Sequence, residues 1–121
     1  MDYQTKDSGV REEYTSGMRR DVQTDKPRFE FLLVSGMPYE EQFLTRWAKL
    51  MARGAEKYGE RNFELANSTE ELERFKASAL RHMMQWLSGE TDEDHGVAVA
   101  FNIFAAQMVE YKLLENGNLE V

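Results

Sequence analysis

The sequence predicts an all-α protein, a small helical bundle with an extended N-terminal arm, on three observations. Apolar residues recur at spacings of three and four through three long stretches, as in helices that bury one face. Each stretch runs into a glycine placed to stop it, at Gly59, Gly89 and Gly117. Residues 1–28 lack that periodicity, and Gly9, Gly17 and Pro27 interrupt them. No strand-hairpin signal stands out. The expected organisation is therefore an extended basic arm over 1–28 and a helical domain over 29–121. At 121 residues the chain can build one modest core, near the size where burial between subunits helps. A homodimer or homotetramer is expected.

The arm holds Arg19, Arg20, Lys26 and Arg28 within ten positions, with Asp21 and Asp25 among them. Guanidinium groups pair bidentately with phosphate, so this segment is either a solvated tail or an arm that presents cations to an anionic ligand. Phe29–Pro38 is a short apolar run closed by glycine and proline, readable as a strand-like lead-in or a half-buried turn. The first helix is expected over Tyr39–Tyr58, with Phe43, Trp47, Leu50, Gly54 and Tyr58 on one stripe. An irregular connection, Glu60–Asn67, follows. Ser68 and Glu71 form a capping-box pair that starts the second helix, whose stripe is Leu72, Phe75, Ala79, His82 or Met83, and Trp86. The third helix is expected from an N-cap at Asp92 to about Glu115, with Phe101, Phe104, Met108 and Tyr111 as its core face. Its alanines at 98, 100, 105 and 106 permit close approach of a neighbour.

Composition excludes some functions. Hydrophobic residues at 41% exclude a disordered chain, and a net charge of -7 offers no basic excess for wrapping a nucleic acid polymer. An acidic chain can still bind a nucleotide through a divalent metal. There is no cysteine for a disulfide or thiolate site. No apolar run approaches the length of a membrane span, and the polar start MDYQTKDSG is unlike a signal peptide. A cytoplasmic protein without a membrane partner is the expectation.

Chemistry concentrates at the turn between the second and third helices. Glu90, Asp92, Glu93 and Asp94 occupy five positions, followed by His95. Like charges this close cost on the order of 1 kcal/mol each even when solvated, so the cluster is either open to water or neutralised by a cation. Arg81 and His82 approach from one helix, and His95 and Asn102 lie on the other. His82 is either a core histidine satisfied by one hydrogen bond or a ligand. Seven residues of helix rise, about 10 Å, keep His95 and Asn102 from sharing one ion, though both can line one groove. There Asn102 either bridges two helices, meets a base edge or fixes a carboxylate behind the site.

Four segments, SGMRRDVQTDKPRF (16–29), RGAEKYGERNF (53–63), SALRHMMQWLSGE (78–90) and EDHGVAVAFN (93–102), resemble in order and spacing the motifs of the phage and bacterial dATP/dGTP diphosphohydrolase-like family. That family is related to the all-α, MazG-like nucleoside triphosphate pyrophosphohydrolases. Phe63 stands where many relatives have tryptophan, and Ala98 where many have a second histidine. The resemblance implies hydrolysis of a purine deoxynucleoside triphosphate to a monophosphate and pyrophosphate, in the host cytoplasm for a phage-encoded chain. It implies substrate contacts from Arg20, Lys26, Arg28, Lys57, Tyr58, Asn62, Arg81, His82 and Asn102, with His95 and Glu90 catalytic. Mg²⁺ or Mn²⁺ is the implied cofactor, and Glu90, Asp92, Asp94 and His95 are its expected ligands. The alternative is an inactive protein that sequesters nucleotides, such as a phage counter-defence factor.

Overall fold

Opposite charges meet at every register of the first element. β1 (Arg11–Glu13) pairs antiparallel with β2 (Arg19–Asp21), setting Arg11 opposite Asp21, Glu12 opposite Arg20 and Glu13 opposite Arg19. Of the three, Arg11 and Asp21 lie within ion-pair distance, at 3.4 Å, and a formed cross-strand pair of this kind contributes about 0.2–1 kcal/mol. The connecting turn closes with Tyr14 N–H donating to the Met18 carbonyl and Gly17 N–H to the Tyr14 carbonyl, both at 2.8 Å. Gly17 takes φ +89° there, a conformation that side-chain-bearing residues avoid. Arg11 also binds Asp7 at 2.7 Å, and this hydrogen bond with its charge holds the Asp7 carboxyl down to about 2. The computed structural model that shows this describes residues 3–117.

The hairpin corrects the expected all-α class: the protein is mostly helical and carries one small two-stranded sheet. It also corrects the charge balance of the arm, because Arg19 and Arg20 face Glu13 and Glu12 on the other strand. Arg28 lies over the Phe31 ring at 4.2 Å and donates to Glu30 at 3.0 Å, and a 3₁₀ turn at Phe29–Leu32 replaces a strand-like lead-in. Met1–Leu32 and Leu33–Val121 form two separate compact units.

In the second unit, buried Gln42 ties the lead-in to the first helix. Its amide accepts from Val34 N–H and donates to the Val34 and Met37 carbonyls, all at 2.9 Å. Gln42 is itself extended, with ψ 136°, so Tyr39–Glu41 forms a separate 3₁₀ turn and α1 spans Phe43–Tyr58. Gly59 then leaves the helix at φ +96°. A 3₁₀ turn at Asn62–Leu65 follows, held to the far end of the chain by Lys112 Nζ, which donates to the Glu64 and Ala66 carbonyls.

α2 (Thr69–Leu87) starts at the capping box that Ser68 and Glu71 predict. Ser68 Oγ accepts from Glu71 N–H at 3.2 Å, while the Glu71 carboxylate accepts from Asn67 N–H at 3.0 Å and Ser68 Oγ at 2.7 Å. α3 (His95–Glu115) is capped by Asp94 rather than Asp92. Helices α1 and α2 each pack on α3, the α2 pairing being far the more extensive, and hardly touch each other. That central place explains a helix apolar on every side. α3 is long and apolar enough by composition to cross a membrane, and 44% of that stretch is buried in the fold.

The core face of α3 differs from the aromatic stripe expected of it. Small and medium residues are buried, namely Val97, Ala98, Val99, Ala105, Ala106, Val109 and Leu113; the last three join Leu72 of α2 and Ala66 in one cluster, against which the expected Met108 packs together with Phe75. The aromatics turn toward α1 and the 3₁₀ turn, and Phe101 also meets Phe75 of α2 at 6.3 Å. Phe104 meets Trp47 and Phe63 at 5.5 Å each, and Phe101 meets Phe63 at 5.6 Å. Tyr111 lies beyond those contacts and stays 65% exposed.

Candidate functional site

Because α1 and α2 meet only through α3, a cleft of about 1140 Å³ opens between them. Its floor is α3, through Ala98, Phe101 and Asn102. One wall is the C-terminal half of α1 with Lys57, Tyr58 and the following Arg61, Asn62 and Phe63. The other is α2, with Phe75, Arg81 and His82, and the α2–α3 turn supplies Asp92, Glu93 and Asp94. The volume exceeds the roughly 300–1,000 Å³ of ordinary small-molecule sites.

Eight residues singled out from the sequence thus line one cavity: Lys57, Tyr58, Asn62, Arg81, His82, Asp92, Asp94 and Asn102. His95 lies directly behind His82, 2% exposed. Glu90 is exposed and outside the lining, since the turn carries it away from the cleft. Arg20 and Lys26 line a separate depression of about 560 Å³ within the hairpin unit. There Lys26 lies 3.8 Å from Asp21, while Arg28 stays on Glu30 and Phe31.

The acidic turn is not a uniform cluster. Asp94 uses both oxygens: Oδ1 caps α3 by accepting from Val97 N–H at 3.5 Å, and Oδ2 accepts from Arg46 Nε at 2.7 Å. Asp92 accepts from His95 Nε2 at 2.8 Å, and that hydrogen bond holds its carboxyl below the usual carboxylate range. Glu93 is different. Its carboxylate makes no hydrogen bond or ion pair with any described side chain, although it lines the cleft.

Behind the turn the two histidines meet. His82 Nδ1 and His95 Nδ1 are 2.9 Å apart, and Arg81 Nη2 lies 3.3 Å from His82 Nε2. Arginine only donates, so His82 Nε2 accepts and its ring proton sits on Nδ1. His95 Nδ1 must then accept, leaving the His95 proton on Nε2 for Asp92. The whole chain runs one way, Arg81 to His82 to His95 to Asp92, through neutral rings. Burial, followed by the charge of Arg81, pushes the His82 pKa below its ordinary range and favours that neutral form. Asn102, also buried, donates Nδ2 to the Ala98 carbonyl of its own helix at 2.8 Å. It does not tie two helices together.

Among the described residues, one group of His, Asp and Glu side chains brings three ligand atoms together: His82, Glu93 and His95, all within 4.8 Å of one another. Sequence reasoning set Glu93 in the acidic cluster without singling it out, and it gave Arg53, Arg61 and the Arg46–Asp94 pair no role. Nothing in a single sequence fixes how α2 slides along α3, and that register decides which acid of the turn faces His82.

The family model of the dATP/dGTP diphosphohydrolase N-terminal region matches residues 16–118. The chain belongs to this family. No curated protein and no solved structure matches it. The matched span includes the hairpin strand β2, all three helices and every residue of the cleft.

Proposed function

We propose that the chain hydrolyses the α,β-phosphoanhydride of a purine deoxynucleoside triphosphate, dATP or dGTP, releasing the monophosphate and pyrophosphate. One observation carries the reading: in a chain of this family, a single cleft joins four cations, Arg53, Lys57, Arg61 and Arg81, to an aromatic wall and to the free carboxylate of Glu93.

Lys57 and Arg81 hold the triphosphate, where guanidinium and ammonium donors stabilise charge that grows on the phosphate oxygens during bond breaking. Tyr58, Phe63 and Phe101 offer faces for a purine ring. Asn102, with Nδ2 committed to Ala98, has Oδ1 left to accept from an exocyclic amino group.

The ligand set expected for Mg²⁺ does not fit one ion. Glu90 stands outside the cleft, both Asp94 oxygens are engaged by Arg46 and the helix cap, Asp92 is spent on His95, and His95 is buried behind His82. Of the carboxylates that line the cleft, Glu93 is the one left without a side-chain partner among the described residues. No catalytic step is assigned to that set.

The test is incubation with a panel of ribo- and deoxyribonucleoside triphosphates in the presence of Mg²⁺ or Mn²⁺, followed by chromatography. dAMP or dGMP with pyrophosphate is expected. Orthophosphate as the first product, or tight binding without turnover, overturns the reading.

A further inference from the structure

We infer that His82 Nδ1, His95 Nδ1 and the Glu93 carboxylate form a site for one divalent transition metal ion, such as Mn²⁺, Co²⁺ or Zn²⁺, and not for Mg²⁺. The inference concerns what the cleft binds, and it stands whether or not the chain turns over nucleotides.

Two nitrogens each about 2.1 Å from one ion stand about 3.0 Å apart in an octahedral cis arrangement and about 3.4 Å apart in a tetrahedral one. The two Nδ1 atoms are 2.9 Å apart. They sit on different helices, thirteen residues apart in sequence, and both rings are more than nine-tenths buried. Placing two imidazoles so far out of water with nitrogens converging is costly unless something shared lies between them. A proton is one such object, and a metal ion is another.

Three further features favour the ion. His95 Nε2 donates to Asp92 at 2.8 Å, so the proton of that ring is held on the side away from His82 and a lone pair points at the shared space. A carboxylate behind a ligating histidine is the usual support that fixes its tautomer and raises its basicity. Glu93 supplies the third group, one ligand atom from each of the three residues lying within 4.8 Å of the others, and it is the cleft carboxylate that no described side chain engages. His82 and Glu93 line the cleft, so a substrate oxygen or water could reach an ion held there from that side. Two imidazoles and one carboxylate suit borderline transition ions, whereas Mg²⁺ demands oxygen ligands.

Proton balance sets one consequence. Ligation through Nδ1 moves the His82 ring proton to Nε2, which can then no longer accept from Arg81. Arg81 Nη2 must leave, while its Nη1 contact to Gln85 at 3.1 Å can remain. Loading the ion therefore frees one guanidinium nitrogen toward the cleft. A bound ion would also polarise a phosphate oxygen and acidify a water.

The experiment titrates the full chain, stripped of metal with a chelator, with CoCl₂ while visible absorption is recorded. Calorimetry with MnCl₂, ZnCl₂ and MgCl₂ runs alongside. One ion per chain is expected, with d–d bands of nitrogen-ligated Co²⁺ and with Mg²⁺ at least 100-fold weaker than Mn²⁺. H82A should abolish the bands and D92N should weaken Co²⁺ 10- to 100-fold at unchanged stoichiometry. E93Q, an exposed change that leaves the fold intact by circular dichroism, should weaken it at least 10-fold and so keeps the test open if H82A fails to fold. Absent bands, an unaffected E93Q, or equal binding of Mg²⁺ and Mn²⁺ overturns the site. Binding as described without nucleotide turnover keeps the site and sinks the proposed activity. Turnover in Mg²⁺ without the bands does the reverse.

Discussion

Asp94 separates the two readings of the acidic turn, because a ligand and a helix cap respond differently to the same substitutions. As a cap, its Oδ1 accepts from Val97 N–H at 3.5 Å, a long contact that places its contribution near the lower end of the range, about 0.5 kcal/mol. Its Oδ2 meets Arg46 Nε at 2.7 Å with both side chains about a third exposed, a linkage of α1 to the start of α3 that adds about 0.5–1.5 kcal/mol. D94A should therefore destabilise the helical unit by about 1–2 kcal/mol, which for a domain of this size lowers Tm by about 5–15 °C. D94N keeps the cap and loses the charge, so it should cost about half as much. The assay is urea unfolding of wild type, D94N, R46A and the double variant. A coupling energy near 1 kcal/mol between Arg46 and Asp94 is expected, together with Co²⁺ affinity in D94N within a factor of three of wild type. If D94N kept full stability and lost metal binding, Asp94 would be a ligand and the assignment of Glu93 would fall with it.

Other changes test the remaining structure. S68A removes the acceptor for Glu71 N–H and should cost about 1 kcal/mol by chemical unfolding, whereas S68T, which keeps the hydroxyl, should restore most of it. The hydrogen bonds from Asn67 N–H and Ser68 Oγ lower the folded pKa of Glu71 below 4.5, so its contribution is complete above that pH and lost on acidification through the folded value. E71Q should accordingly flatten the acid limb of the stability profile, and an unchanged limb would show that the carboxylate bonds are not formed in solution. L72A empties a position that is 2% exposed at the centre of the core and should cost about 2–5 kcal/mol. Ala77, Leu80, Met84 and Leu87 repeat at three and four along the exposed side of α2, a seam that a second copy of the chain would cover. Light scattering at micromolar concentration should report a homodimer that L80E converts to monomer, and a wild-type monomer would refute that assembly.

How much of this was legible in the sequence depended on whether the signal was local. Ser68 and Glu71 announce the start of α2 because the capping box closes within four residues, and Gly59 marks the end of α1 for a similarly local reason. The hairpin was invisible because each of its strands has three residues, all of them charged, with no apolar alternation, and the register that sets Glu12 opposite Arg20 lies between residues that no window compares. Gln42 carries no local signal of burial, since its three bonds go to backbone groups that only the folded loop presents. The cleft was half legible. Motifs around Lys57, Arg81, His82 and Asn102 name residues that do line it, but their neighbourhood does not reveal that Glu90 points away while Glu93 points in.

The size pattern on α3 connects these observations to the site. Alanines at 98, 105 and 106 let α2 come close along one side of the helix, while Phe104 packs edge-on against Trp47 of α1 and Phe101 packs edge-on between Phe63 and Phe75 of α2. Close approach on one side and bulk on the other leave α1 and α2 apart, and the space between them is the cleft. Close approach also forces whatever polar groups lie on the α2–α3 seam out of water, which is why His82, His95 and Asn102 are buried there and why each has a partner. Widening the seam should separate the two histidines without touching either. A98L adds bulk where Ala98 is 6% exposed, next to His95 and Asn102 on the face of α3 that meets α2. The expected result is weakened Co²⁺ binding with the N-terminal hairpin unaffected. Unchanged binding in a folded A98L chain would mean that the 2.9 Å approach of the rings does not depend on helix spacing, and that the small residues of α3 serve packing alone.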